Sequence, residues 1–321
     1  MAEVWTMGEI IVEIMRRDVG AGLKDPGVFL GPYPSGAPAI FIDTVARMGH
    51  SAGIVGGVGR DDFGDCLVDR LSRDGVDCSL ILKDPDGTTG VAFVTYFEDG
   101  SRKFIYHIGN TPAVSPKAPD EKALQGIRYF HVMGCSLMAE PRFAGEILKM
   151  MKTALSLGAR VSFDPNIRTE LLKDRSVLEL VRDVFSQTSV FMPGVDELLM
   201  LTGADSVEKA VEICFGNQKM EYVVLKRGSQ GCTVYSRTEE YRMGVYPVEA
   251  VDPTGAGDSF DGAFLCGLLE GKPLPEIIQN ATAAGALNTS AFGPMEGKIS
   301  PAGVEALIRS HAGKISPVKN Q

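Results

Sequence analysis

The sequence predicts an α/β protein: a mostly parallel sheet covered by helices on both faces, with a small β element standing off it. Three observations carry this. From Pro119 onward, short apolar runs alternate with longer amphipathic stretches, the pattern of strands buried on both faces and joined by helices. Before that point, β-rich runs at 90–97 and 103–108 flank Glu98-Asp99-Gly100-Ser101, a hairpin signal. No linker, low-complexity segment or internal repeat divides the 321 residues, so residues 1–321 read as one domain.

The elements follow in order. Residues 4–14 form the first apolar run and the first expected strand; Glu3, Glu9 and Glu13, in and beside it, argue against a signal peptide. Residues 36–48 put Ile40, Phe41, Thr44, Val45 and Met48 on one helical face, and Gly49 ends that helix. An apolar run at 52–58 precedes a helix at 63–73, closed by Gly75. The hairpin comes next and, with part of 12–35, makes the small β element. Strands are expected at 129–133, 160–163, 190–192 and 222–225, with helices at 142–157, 177–185 and 207–215 between them. A second hairpin, 232–235 with 241–248, leads to a glycine cluster. Helices at 259–269, 274–287 and 302–311 and a polar tail complete the chain.

Composition excludes several functions. The net charge is −9, from 41 acids against 32 bases, with no basic run, which argues against nucleic-acid binding. No apolar run approaches a membrane span. The six cysteines are scattered without a C-x-x-C, which suits neither a disulfide framework nor a zinc site and fits a reducing, cytoplasmic setting. Each Gly-Lys pair lacks the following Ser or Thr of a P-loop. Gly57-Val58-Gly59 lacks the third glycine of a dinucleotide fingerprint, where Asp62 stands. The four histidines are too dispersed for a metal site, and His107 is the one expected to face a ligand.

The informative stretch is Asp252-Pro253-Thr254-Gly255-Ala256-Gly257-Asp258. Phe260, Ala263, Phe264, Gly267 and Leu268 recur with helical spacing, so a helix begins near Gly257. Its first amides lack intrahelical partners and carry the positive end of the helix dipole. Glycines just ahead let an anion approach them. Asp258 stands at the mouth, where the helix end is expected to keep it ionised and ready to accept a proton. A donor cradle beside a base suits attack by a hydroxyl on a phosphoryl group.

This stretch resembles the D-x-x-G-A-G-D signature of the ribokinase-like (PfkB) carbohydrate kinases. The resemblance extends over nearly the whole chain. Ser35-Gly36-Ala37-Pro38-Ala39 is similar to G-G-A-P-A-N, and 56–64 to G-x-x-G-x-D-x-F-G. Asp164-Pro165-Asn166-Ile167-Arg168 is similar to the D-P-N-x-R of fructokinase-type members. Residues 224–231 resemble the strand and G-x-x-G run near the nucleotide.

The resemblance implies a three-layer α/β/α core with a β lid built from about 12–35 and 88–112. It also implies transfer of the ATP γ-phosphoryl to a sugar hydroxyl. Asp258 would be the general base, and the amides of Gly255, Ala256 and Gly257 would hold the phosphoryl. Glu13, Gly36, Ala37, Tyr106 and Arg168 would bind the sugar. Lys226, Gly228 and Gly231 would lie near ATP, and Asn288 near the adenine. Glu197 would order Mg2+ through water, and Asp252 and Thr254, with backbone from about 290–293, would hold K+. Subunits would pair through the lid.

The chain departs from the family at Ser35, Ile40, Gly194 and Glu13, the last being one methylene longer than the usual Asp. Ser35, Ile40 and Glu13 lie near where the sugar would bind and point to altered substrate geometry; Gly194 takes the asparagine position of the N-x-x-E motif and bears on magnesium handling through Glu197. Ile108 stands where sugar-acid kinases of the family carry a second arginine, and a buried carboxylate without its cation is costly. The expectation is therefore a neutral ketose such as fructose or tagatose. A keto-deoxy sugar-acid kinase, a nucleoside kinase, or a catalytically weak sugar-binding regulator stand as alternatives.

Overall fold

The computed structural model describes residues 2–168 and 176–320. The chain opens with β1 (Val4–Met7), β2 (Ile11–Arg16) and β3 (Phe29–Ser35), then helix α1 (Ala37–Arg47). β4 (Ala52–Gly59), α2 (Asp62–Arg73), β5 (Val76–Asp77) and β6 (Ile81–Asp84) precede the hairpin β7 (Val91–Tyr96) and β8 (Arg102–His107). The alternating part runs β9 (Tyr129–Met133), α3 (Gly134–Ala139), α4 (Pro141–Ser156), β10 (Arg160–Asp164), α5 (Ser176–Gln187) and β11 (Thr188–Phe191). It continues through α6 (Val195–Thr202), α7 (Val207–Gly216) and β12 (Tyr222–Lys226). β13 (Cys232–Tyr235), β14 (Glu240–Met243), α8 (Ala256–Leu269), α9 (Leu274–Thr289), α10 (Pro301–Ser310) and β15 (Val318–Lys319) complete it.

Two sheets organise these elements. The larger has the order β15-β14-β13-β12-β11-β10-β9-β1-β4-β5, with β6 also on β4. Every pair from β12 to β5 is parallel, and β13 to β15 add an antiparallel edge. β1, β4, β9 and β11 are buried along their whole length, as strands covered on both faces must be. One core packs α1, α2, α8, α9 and α10 on one face, through residues such as Phe41, Leu71, Phe264, Ile278 and Val304. The other packs α3 to α7 on the opposite face, through Leu137, Ile147, Val184, Leu198 and Val211. The smaller sheet, β3-β2-β7-β8, lies over one end of the larger as a lid.

Three details differ from the sequence reading. The run 4–14 is two strands in two sheets, parted at Gly8-Glu9-Ile10; both halves are buried, so hydrophobicity alone hides the break. The strand expected over 241–248 stops at Met243, because Gly244 and Pro247 cannot extend the ladder and the chain turns to line a cavity. The eight-residue α6 and the closing strand β15 arise in segments whose short patterns gave no signal.

Candidate active site

β1 lies between β4 and β9, so the sheet grows in both directions from it. Ligands of parallel α/β sheets bind beyond the strand C-termini at such a reversal. The residues there are chemically rich. Glu9 follows β1, Cys135 follows β9, Asp164 ends β10, Gly194 follows β11 and Lys226 ends β12. All five line one cavity of ≈ 300 Å³. The lid roofs it. Tyr96 pairs with Arg102, Val94 with Phe104 and Ala92 with Tyr106 across the hairpin, so Arg102, Phe104 and Tyr106 share the inner face by strand alternation.

Glu13, Gly36, Ala37, Tyr106 and Arg168 all line this cavity, with Ser35, Ile40 and Ile108. Ser35 Oγ donates to Glu13 Oε1 at 2.8 Å across the β2–β3 pair, so two substitutions that look independent in the sequence form one unit. Glu13 Oε2 is buried and lacks a partner among the described residues. Burial pushes the Glu13 carboxyl up to about 7 against the pull of the Ser35 bond. Glu9 accepts from Ser136 Oγ and Cys135 Sγ, and burial raises its pKa as well. The Arg168 guanidinium lies 5.8 Å from the Phe104 ring centroid.

α8 begins at Ala256 behind Gly255, and no side chain caps it. Gly255 has φ +79°, and a Cβ there would meet Pro294 O at 2.5 Å; only glycine suits that turn. A Cβ on Gly257 would have only Lys226 Nζ nearby, at 3.7 Å, so the space on that side of the backbone is open. Asp258 is buried in the first turn, and Asn166 Nδ2 donates to its Oδ1 at 3.2 Å. Asn166 itself sits at φ +38°, a strained posture that persists where the surroundings enforce it. The expectation that the helix end keeps Asp258 ionised needs correction. Burial and then the Asp164 charge push it up to about 7, with Lys226, Arg168 and Arg102 pulling the other way.

A second cavity of ≈ 530 Å³ adjoins the first. Its walls are apolar, with Val245, Tyr246, Val248, Phe260 and Ala286, and it includes Gly228, Gly231 and Ala256. The two cavities share Gly257, Lys226, Gly228, Pro253 and Arg102. A flat apolar slot thus meets a polar chamber at an uncapped helix end, one residue from a carboxylate.

Residues 1–300 match the pfkB family carbohydrate kinases. The chain belongs to this family. Fructokinase-1 of Zea mays is 34% identical, over 95% of this chain and 97% of its own. A probable fructokinase-4 of Arabidopsis thaliana is 31% identical, over 95% and 96%. The crystal structure of a candidate ribokinase II from E. coli in complex with ATP and Mg2+ superposes with a TM-score of 0.91 at 40% identity. That likeness covers 97% of this chain and all of the other. The protein is therefore an ATP-dependent sugar kinase of the ribokinase fold.

In this kinase Lys226 lines both cavities and is also tied to two carboxylates. Its Nζ donates to Asp164 Oδ2 at 2.7 Å and Asp261 Oδ2 at 2.8 Å. Burial opposes its charge, but the two carboxylates more than offset this and raise its pKa. Asp164 is drawn below the usual range by Lys226, against its own burial. Asp261, fully buried and next to Asp164, is pushed far up. One ammonium thus ties two carboxyl groups whose pKa values are driven in opposite directions.

Asn288 does not reach the second cavity. It is fully buried, and its Nδ2 donates to Thr254 O at 2.8 Å and Pro294 O at 3.1 Å, which makes it a brace for the loop before α8. His107 faces outward on the lid, edge-on to Phe93, because it alternates with the inward Tyr106.

Glu197 lines the first cavity. Its Oε1 accepts Ile167 N–H and its Oε2 accepts Gly194 N–H, at 2.8 and 2.7 Å. Gly194 has no side chain to return the contact. Each oxygen keeps a free lone pair, and Asp164 and Asp258 line the same cavity. Among the described residues no three acids are placed to hold a metal ion directly; Glu197 fits only a magnesium ion that keeps its waters and binds chiefly through nucleotide phosphates. In the Asp252–Thr254 loop, Asp252 Oδ2 accepts only Gly293 N–H and Thr254 O only Asn288 Nδ2, so each keeps a lone pair, which fits a monovalent ion.

Glu9, Tyr96, Arg102, Asp164 and Asn166 escaped the sequence reading as site residues. Glu9 lay in an apolar run. Asp164 and Asn166 stood inside a recognised motif from which only Arg168 was drawn. Tyr96 and Arg102 meet Thr254 across more than 150 positions, at separations of 158 and 152, which no local pattern can signal.

Proposed function

We propose that this kinase transfers the ATP γ-phosphoryl to a hydroxyl of a neutral ketose such as fructose or tagatose, with Asp258 as general base. One observation carries the reading: the polar and apolar cavities meet at Gly257, beside Asp258. The sugar occupies the polar chamber and the adenine the apolar slot. The Gly255, Ala256 and Gly257 amides receive the phosphoryl oxygens, which costs no reorganisation at the moment of transfer. Asn166 holds Asp258 Oδ1, leaving Oδ2 for the attacking hydroxyl. Magnesium, when bound with the nucleotide through Glu197-held water, neutralises phosphate charge.

The neutral class is supported by charge. Lys226 is spent on Asp164 and Asp261, and four carboxyls with raised pKa, Glu9, Glu13, Glu197 and Asp258, stand in the chamber with Arg102 and Arg168. Fructokinases at 31–34% identity point the same way. A sugar acid is the second reading, favoured by the two arginines in the chamber. An ADP-release screen over fructose, tagatose, ribose, 2-keto-3-deoxygluconate, inositol and nucleosides separates them; highest kcat/KM on 2-keto-3-deoxygluconate rejects the neutral class. Ser35→Ala frees Glu13 Oε1 and is expected to raise the sugar KM about 3–10-fold, the scale of one lost hydrogen bond. The ATP KM should stay unchanged, and an unchanged sugar KM would remove the pair from recognition.

The cytoplasm is the proposed location. All six cysteines are free thiols, and among the described residues no helix is long and apolar enough to cross a membrane. Pairing of two copies through the lid is proposed from its outer face, where Phe29 and His107 pack edge-on to Phe93 and Ile105 is 42% exposed.

A further inference from the structure

We propose that Arg47 and Arg70 are positioning residues for phosphoryl transfer: their guanidinium groups fix the segment 293–297, which in turn fixes the anion-binding turn at Gly255. The inference rests on the phosphoryl-transfer reading above, because that reading gives the turn its part in the reaction.

Residues 291–299 form neither helix nor strand, yet Gly293, Pro294, Met295, Gly297 and Ile299 are buried. A buried segment outside any ladder must find partners for its peptide groups elsewhere. On its inner side these partners belong to the turn. Gly293 N–H donates to Asp252 Oδ2 at 3.0 Å. Asn288 Nδ2 donates to Pro294 O at 3.1 Å and to Thr254 O at 2.8 Å. A Cβ on Gly255 would meet that same Pro294 O at 2.5 Å, so the carbonyl packs directly on the Gly255 backbone. No flexible side chain stands between them to absorb a shift.

On its outer side the partners are two arginines. Arg47 Nη1 donates to Met295 O at 3.0 Å and its Nη2 to Gly297 O. Arg70 Nη2 donates to the same Met295 O, and its Nη1 to Glu296 Oε1 at 2.7 Å. Arg70 is 7% exposed, and Asp74 Oδ2 holds its Nε at 2.6 Å. Asp43 Oδ2, one turn before Arg47, stands 3.5 Å from Arg47 Nη1 and 3.6 Å from Arg70 Nη2. Asp43, Asp74 and Glu296 would suffice for an ion network serving stability alone. Instead, both guanidiniums also converge on main-chain carbonyls, whose place a planar fork fixes and an ammonium does not. Arg47 ends α1, and Ala37 at the start of α1 lines the sugar chamber. One helix thus carries an acceptor contact at one end and the support of the phosphoryl turn at the other.

The test compares the wild type with Arg47→Lys, Arg70→Lys and Asp43→Asn, first by melting temperature and then by Mg-ATP turnover with D-fructose as probe. Each lysine variant keeps its charge beside the acids and loses the fork. Both should lose roughly 10–10²-fold in kcat, the scale of a reacting group displaced by up to about 1 Å. Both KM values should hold, the pattern of an interaction expressed only in the transition state. Asp43→Asn removes charge and no carbonyl contact, so its kcat should stay close to the wild type whatever its melting temperature. Wild-type kcat in Arg47→Lys overturns the proposal. A loss in Asp43→Asn as large as that in Arg47→Lys also overturns it, since the network would then serve stability alone. Mg-ADP with aluminium fluoride, a phosphoryl mimic, gives an arm that needs no acceptor. The rise in melting temperature that the fluoride adds to Mg-ADP in the wild type should shrink in Arg47→Lys, and an undiminished rise overturns the proposal. If fructose is not turned over, the sugar assignment fails while this arm still decides. If the wild type shows neither turnover nor the fluoride rise, the phosphoryl-transfer reading falls and the proposal with it. If Arg70→Lys does not fold, Arg47→Lys decides.

Discussion

Asp258→Asn is expected to lower turnover roughly 10²–10⁴-fold, the usual loss with a general base, while leaving helix α8 and ATP affinity intact. The substitution is isosteric, so the Asn166 contact and the open space beside Gly257 survive. The wild type should also carry a pH signature. Its Asp258 carboxyl is pushed up to about 7, and the protonated acid cannot accept the substrate proton. Activity should therefore fall as the pH drops below about 7, and this limb should vanish from the residual rate of the Asn variant. Glu13 titrates in the same range, but as a binding group it acts on the sugar KM. Single-turnover rates at saturating sugar across pH 5 to 9 separate the two. A variant within about threefold of wild type would remove Asp258 from proton abstraction.

Lys226→Met is expected to cost stability more than ATP affinity. It leaves Asp164 and Asp261, both buried, without the ammonium that ties them. Deleting one partner of a buried ion pair costs about 3–5 kcal/mol. The low end applies, since the Lys226 side chain is 19% exposed to the cavities. A melting temperature lowered by about 4–6 °C follows for a domain of this size. Asp261→Asn should be tolerated far better, because that carboxyl is already held protonated by burial. Equal losses in the two variants, read by thermal denaturation, would break the assignment of charge within the triad.

The fold was legible wherever strand and helix periods were long and regular, as at 129–133, 142–157 and 222–225. It was not legible where one apolar run serves two sheets, as at 4–14. The anion-binding turn showed itself through local glycines. The expectation that Lys226 lies near ATP carries no sign of its partners Asp164 and Asp261, which lie 62 and 35 residues away. The Glu13–Ser35 bond and the Arg102–Thr254 contact are likewise tertiary facts. Each substitution is readable alone, and its meaning depends on a neighbour the sequence does not name.

Only Gly8-Glu9-Ile10 separates the main sheet from the lid at the chain's start, and a Cβ on Gly8 would lie 2.2 Å from Pro38 Cγ. Glu9 sits within that joint and Glu13 just past it, both facing the acceptor chamber. A polyol gripping both therefore grips the pivot itself. On the proposed reading, an acceptor held by both carboxyls would bridge the two sheets, and acceptor-first binding is the expectation that initial-rate kinetics would check.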